Sequence, residues 1–300
     1  MDRRAWLALS ASALLAACER GRRAPAAGAM RDATDAAVSV GDRARIVTVG
    51  GVVTEIVAAL GALDRVVAVD ASSTFPAAVS RLPQVGYLRQ LAAEGVLSLR
   101  PSLVITTTEV GPPTTLAQLR GAGVAVFVVE GSPGMDAARQ RIRRIAAVLD
   151  KTPQGDALVR ALDADLARVP AATGARPKVL FLYARGPGAP QVAGRDTAAD
   201  AMISLAGAEN PMRGRWSGYR PLTTEGLVAA APDVLLVTEH GLGAMGGPAA
   251  IAALPGVAQT PCGRPGRTVV MEDLLLLGFG PRAGAAVATL SERLRAAVAG

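Results

Sequence analysis

Tyrosine is scarce in this chain, with three in 300 residues, and one of them stands where it can do chemistry. Tyr87 follows Gly86 in the stretch Leu82-Pro83-Gln84-Val85-Gly86-Tyr87-Leu88-Arg89, whose proline and glycine mark a loop. Arg89 comes two residues later, and a short helix with Glu94 in its first turn follows. A free phenol ionises only at about pH 10, and a guanidinium beside it favours the charged form. The phenolate is a hard anionic donor, suited to a hard, electron-poor centre such as ferric iron.

The elements that must hold this loop follow a strand-helix-strand order. Arg45-Ile46-Val47-Thr48-Val49 reads as a short buried strand, broken by Gly50-Gly51 and followed by a helical pattern through Leu60. Val66 to Val69, Leu103 to Ile105 and Val124 to Val129 read as further strands, with a helix from Gly111-Pro112-Pro113 through Leu119. Met135 to Leu149 and Pro153 to Val169 are two helical patterns with few turn signals between them, and Pro153 suits a first turn. Together they predict a stiff, nearly continuous connector of about 35 residues. From Arg176 the order restarts: Val179 to Tyr183 as a strand, Ala184 to Ala193 as a loop and Thr197 to Ala206 as a helix. Val234 to Val237 and Val269-Val270 are later strands, and Pro281 to Val298 is a closing helix.

The two halves repeat. Leu91 to Val104 matches Leu222 to Leu235 at a constant offset, since 222 − 91, 225 − 94 and 232 − 101 all give 131. The pattern predicts an α/β protein of two similar lobes, each with a central, mostly parallel sheet flanked by helices. A long connecting helix would join the lobes, leaving a ligand cleft between them. The expected divisions are 43–132 for the N-terminal lobe, 133–172 for the connector and 173–300 for the C-terminal lobe. The repeat also pairs Glu94 with Glu225. Each carboxylate would complement a helix dipole, worth about 0.3–1 kcal/mol, or the two would grip a two-fold symmetric partner, one per lobe. It sets His240, the only histidine, opposite Glu109, just past a strand end. His240 is there either a cleft-facing donor or a solvent-exposed turn residue.

The first residues address the chain. Asp2-Arg3-Arg4 is a charged start, and Ala5 to Ala17 is apolar but too short to span a bilayer. Residues 1–17 therefore read as a signal peptide ending in Leu15-Ala16-Ala17-Cys18, and 18–42 as a polar tether. The sequence resembles a bacterial lipobox, in which Cys18 receives lipid. Cys262 is then left alone, so no disulfide is expected. Half the chain is apolar, and the net charge of +7 is not gathered into a basic, aromatic-studded face, so nucleic acid is not an expected partner. The Gly50 turn lacks the G-x-G-x-x-G spacing of a dinucleotide site. One histidine and two cysteines make no zinc cluster, and no G-x-S-x-G elbow is present, so an enzyme is not expected.

Val85-Gly86-Tyr87-Leu88-Arg89-Gln90-Leu91-Ala92-Ala93-Glu94-Gly95 resembles the haemin-binding branch of the helix-linked substrate-binding proteins of bacterial ABC importers. So do Val192 to Asp200 and Leu274 to Arg282, and the likeness runs from about Arg45 to the C-terminus. The resemblance implies an extracytoplasmic, lipid-anchored, monomeric protein that carries ferric haem to a permease dimer. It implies Tyr87 as the axial iron ligand, Arg89 near the phenolate or a propionate, and Glu94 and Glu225 as permease-docking residues. Some members supply a histidine from the loop after the first strand of the second lobe. Here that loop reads Tyr183-Ala184-Arg185-Gly186-Pro187-Gly188, which puts such a ligand and any stacking of two haems in doubt.

The chemistry agrees with that reading, since tyrosine ligates ferric haem and arginine forks suit propionates. Arg89, Arg185 and Arg195 all fall on loops near the expected cleft, though each arginine alone also fits a solvated surface. Tyr219, behind Gly218, is a cleft donor or a packed ring. Cobalamin or a ferric siderophore is the alternative cargo on the same scaffold.

Overall fold

The computed structural model describes residues 29–170, 176–184 and 190–299. The expected signal peptide, Cys18 and Arg185 lie outside the described residues.

Residues 29–42, expected as part of a tether, pack on the first lobe instead. Strands β1 (Met30–Arg31) and β2 (Ala37–Val38) pair antiparallel. Between them Asp32 is buried, its carboxylate 2.6 Å from the Arg120 guanidinium, and the Ala33 amide donates to the Val128 carbonyl at 2.8 Å. A polar composition could not reveal this docking, because one buried ion pair supplies it.

The N-terminal lobe then runs β3 (Ile46–Val49), α1 (Gly51–Ala59), β4 (Val66–Val69), α2 (Ala93–Leu97), β5 (Leu103–Thr107), α3 (Pro113–Gly121) and β6 (Ala125–Val129). Its four strands are all parallel, in the order β4-β3-β5-β6. Helices cover both faces, so β3 and β5 are buried along their whole length and read as unbroken apolar and threonine runs rather than alternating ones.

Helices α4 (Met135–Val148) and α5 (Thr152–Leu166) follow. The nearly continuous connector expected from the sequence is instead folded back on itself. Arg139 pairs with Asp163 at 2.8 Å and Arg143 with Asp156 at 3.2 Å, an antiparallel register. Asp163 is thus a tie between the two helices. The long helix that links the lobes is α5 alone, with Pro153 in its first turn as expected.

The C-terminal lobe comprises β7 (Val179–Tyr183), β8 (Gln191–Ala193), α6 (Ala198–Leu205), β9 (Tyr219–Pro221), α7 (Thr224–Ala230), β10 (Val234–Thr238), α8 (Glu239–Ala244), α9 (Pro248–Ala252), β11 (Thr268–Met271), α10 (Asp273–Leu277) and α11 (Ala283–Ala299). The sheet order is β11-β10-β7-β8-β9. β5 and β10 lie 131 residues apart at both ends (234 − 103 and 238 − 107), so the repeat is structural. The lobes diverge where β4 is parallel to β3 but β8 and β9 run antiparallel. β8 ends the segment expected as a loop; three residues are too few to show alternation.

One hydrophobic cluster joins the lobes, running from Ile46 and Phe127 through Ile142, Ile145, Val159 and Leu162 to Phe181, Leu236 and Leu290. Met202 and Met271 lie in it. Helix α11 crosses α5 closely: a Cβ on Gly284 would sit 2.2 Å from the Leu162 carbonyl oxygen. No helix among the described residues is long and apolar enough to cross a membrane.

Candidate functional site

Tyr87 owes its place to a stitched loop. The Val69 amide donates to the Pro83 carbonyl at 3.0 Å, Val85 to Val69 at 2.9 Å, and Ala71 to Gly86 at 2.8 Å, fastening residues 83–86 to the end of β4. Gly86, at φ 99, turns the chain where a side chain would be strained. Tyr87 then heads the 3₁₀ turn Leu88–Gln90, with the Gln90 amide donating back to its carbonyl at 2.8 Å. Beyond it, Leu88 and Leu91 are buried, and Gly111 exchanges two 2.8 Å backbone hydrogen bonds with them. The phenol ring is half-buried against this outer core of the lobe.

Arg89 points outward and donates from Nη2 to Glu109 Oε1 at 2.6 Å; both side chains are about half exposed, at 58% and 46%. Glu109 stands two residues past β5, in the strand-end position that open α/β sheets give to ligands. Beside it, Glu130 accepts from the Ser132 hydroxyl at 2.9 Å, from Thr108 at 3.1 Å and from the Gly131 amide at 3.0 Å. The Ser132 hydroxyl leads these donors in holding the Glu130 carboxyl below its ordinary range.

The C-terminal lobe brings two phenols. Tyr183 ends β7 and Tyr219 begins β9, their ring centroids 5.2 Å apart. Burial pushes the Tyr219 phenol up to about 12; Tyr183 adds to the push, while a Thr197 hydrogen bond and the Arg89 charge pull the other way. Arg89 and Glu109 both act on Tyr219, so the Tyr87 loop and this tyrosine pair address each other across the gap between lobes. Sequence reading passed over Tyr183 and Glu109 as site residues. Both sit at the C-terminal ends of parallel strands, which was the available signal.

The remaining expected residues sit on turns and helix starts. His240 is exposed in the first turn of α8, its backbone amide bonded to Asp273 Oδ2 at 3.1 Å. Arg195 is exposed beyond β8, with Asp196 3.5 Å away. Trp216 packs on the outer core of the C-terminal lobe. Glu94 and Glu225 are exposed in the first turns of α2 and α7, one on each lobe, and form no ion pair among the described residues. Cys262 is a free, buried thiol, pushed up by burial.

The floor between lobes holds residues that sequence reading missed. Arg141, 2% exposed, donates to the carbonyls of Glu130 and Ser132 at 2.8 Å and of Phe279 at 3.1 Å. Arg282 forks onto buried Glu55. Among the described residues no three His, Cys, Asp or Glu side chains are grouped to hold a metal ion.

Two α/β lobes, a helical link and a site at facing strand ends define a binding protein. The chain belongs to the periplasmic binding protein family, whose profile matches residues 46–274. The periplasmic haem-binding protein RhuT of Roseiflexus sp. RS-1 is 43% identical, with a TM-score of 0.82 over 86% of this chain and 100% of that one. BhuT, a periplasmic haem-binding protein solved with two haems, is 45% identical, with a TM-score of 0.79 over 85% and 98%. The Bacillus subtilis substrate-binding lipoprotein YvrC is 27% identical over 62% of this chain and 60% of its own length. Several vitamin B12-binding proteins match at 22–29% identity.

Proposed function

We propose that this chain captures ferric haem between its lobes, with the Tyr87 phenolate as axial ligand, and delivers it to an ABC permease. The observation that carries the reading is the Tyr87 loop: a half-buried phenol on a stitched turn, with a guanidinium two residues on, facing the other lobe's Tyr183 and Tyr219. The 43–45% identity to haem-binding proteins favours haem over cobalamin, whose binders match at 22–29%. Arg89 balances the phenolate or a propionate. Tyr219, which burial pushes up to about 12, serves as a hydrogen-bond donor toward the bound ligand.

Glu94 and Glu225 dock into the two-fold permease, one carboxylate per half. Cys18 carries the lipid that tethers a monomer outside the cytoplasmic membrane. The protein binds and hands over; it catalyses no reaction. Titrating the purified protein with haemin, with and without Tyr87→Phe, tests the ligand. A shifted Soret band should form in the wild type and lose its tyrosinate character in the variant; an unchanged spectrum would overturn the assignment.

A further inference from the structure

Glu109 is the unexpected group in a cleft offered to a ligand that carries carboxylates. Its stem passes close to the loop after β6: a Cβ on Gly131 would lie 2.8 Å from Glu109 Cγ, so residue 131 must be small. Its carboxylate meets Arg89 through one oxygen and one nitrogen, Oε1 to Nη2 at 2.6 Å. That single contact leaves the guanidinium's other N–H edge for a second acceptor, since arginine has five donors in a fixed fork. In the repeat, the same strand-end position of the other lobe is His240, so the carboxylate at this exact position belongs to the N-terminal lobe.

We propose that Glu109 is the specificity-determining residue of the cleft: it takes up part of the Arg89 charge and so limits how many carboxylates an incoming metalloporphyrin can bring. The inference rests on the haem reading above. Arg89 in the resting protein is already partnered, and a porphyrin carboxylate must share it with Glu109. A macrocycle with two carboxylates is accommodated by the unused edge of the fork. One with four places additional negative charge against Glu109 without another arginine to receive it at this wall. The charges on Glu109 and Arg89 also reach the Tyr219 phenol across the gap, which places the pair where a bound macrocycle's edge would pass.

The test is a carboxylate ladder. Wild type, Glu109→Gln and Glu109→Asp are titrated by their Soret bands with haemin dimethyl ester, haemin and iron(III) coproporphyrin, which carry none, two and four free carboxylates. The neutral variant should favour the tetracarboxylate over the ester by about fivefold more than wild type does, the upper end for a half-exposed ion pair. That gain should shrink at high salt, and the aspartate variant should restore the wild-type order. Affinities in Glu109→Gln that change equally for all three ligands, or a gain indifferent to salt, would overturn the proposal while haem binding stands. A wild type that shifts no Soret band with any of the three overturns the haem reading and this inference with it.

Discussion

Arg282 forks onto Glu55 across 227 residues of sequence, Nε donating to Oε1 at 2.9 Å and Nη2 to Oε2 at 3.0 Å. Its guanidinium also lies 3.6 Å from the centre of the Phe75 ring. Glu55 belongs to the first helix of one lobe and Arg282 to the segment leading into the last helix of the other. With Arg141 donating to the Phe279 carbonyl nearby, the chain's end is bolted across the floor of the cleft.

Glu55→Ala should therefore destabilise the protein by about 2 kcal/mol, since it removes both charged hydrogen bonds of the fork and leaves Arg282 only its 3.5 Å contact with Glu272. Arg282→Ala should cost a similar amount, and the double variant less than the sum. Urea unfolding midpoints measure all three. Additive losses would mean that the two side chains act independently.

Gly284 offers a test whose sign discriminates. Alanine there should gain about 1 kcal/mol from helix propensity if α11 were loosely packed. Its Cβ would instead lie 2.2 Å from the Leu162 carbonyl oxygen, so Gly284→Ala should lose about 1–3 kcal/mol by forcing α5 and α11 apart. A raised melting temperature would contradict the close crossing.

The Tyr219 phenol, pushed up to about 12, should titrate late. Because its folded pKa exceeds the unfolded value of about 10, the stability linked to it is full below about pH 10 and is lost as pH rises through about 12. Tyrosinate absorbance followed to alkaline pH should show one late step in the wild type. That step should vanish in Tyr219→Phe; its persistence would assign it to another ring.

Charge reversal at Glu94 and Glu225 separates carrying from docking. Both are exposed on helix first turns, so each lysine variant should change stability by less than about 1 kcal/mol, the size of the lost dipole interaction. Haemin titrations should be unaltered, while haem-dependent stimulation of permease ATPase in proteoliposomes should fall most in the double variant. Full stimulation by that double variant would remove the docking role.

Much of the fold was legible because it is written locally. Continuous Val and Ile runs marked the parallel strands, Pro153 marked a helix start, and the repeat located β10 from β5 to the residue. The same repeat set Glu94 and Glu225 in equivalent first turns, and Gly86 announced the turn that presents Tyr87. Short strands such as β8 were missed because three residues carry no period, and the helical hairpin was read as a rod because helix periodicity is silent about direction.

By itself, then, the sequence determined which segments are strand or helix, that they come in two copies, and which loop carries the phenol. Those properties depend on residues within a turn or two of one another. Only the tertiary structure decided that Asp32 is buried against Arg120, that Arg89 is held by Glu109, and that Arg282 closes on Glu55. Each of these pairs joins residues from 20 to 227 positions apart. A charged side chain looks the same in a sequence whether it ends in water or in a partner; packing brings the partner within reach and removes the water.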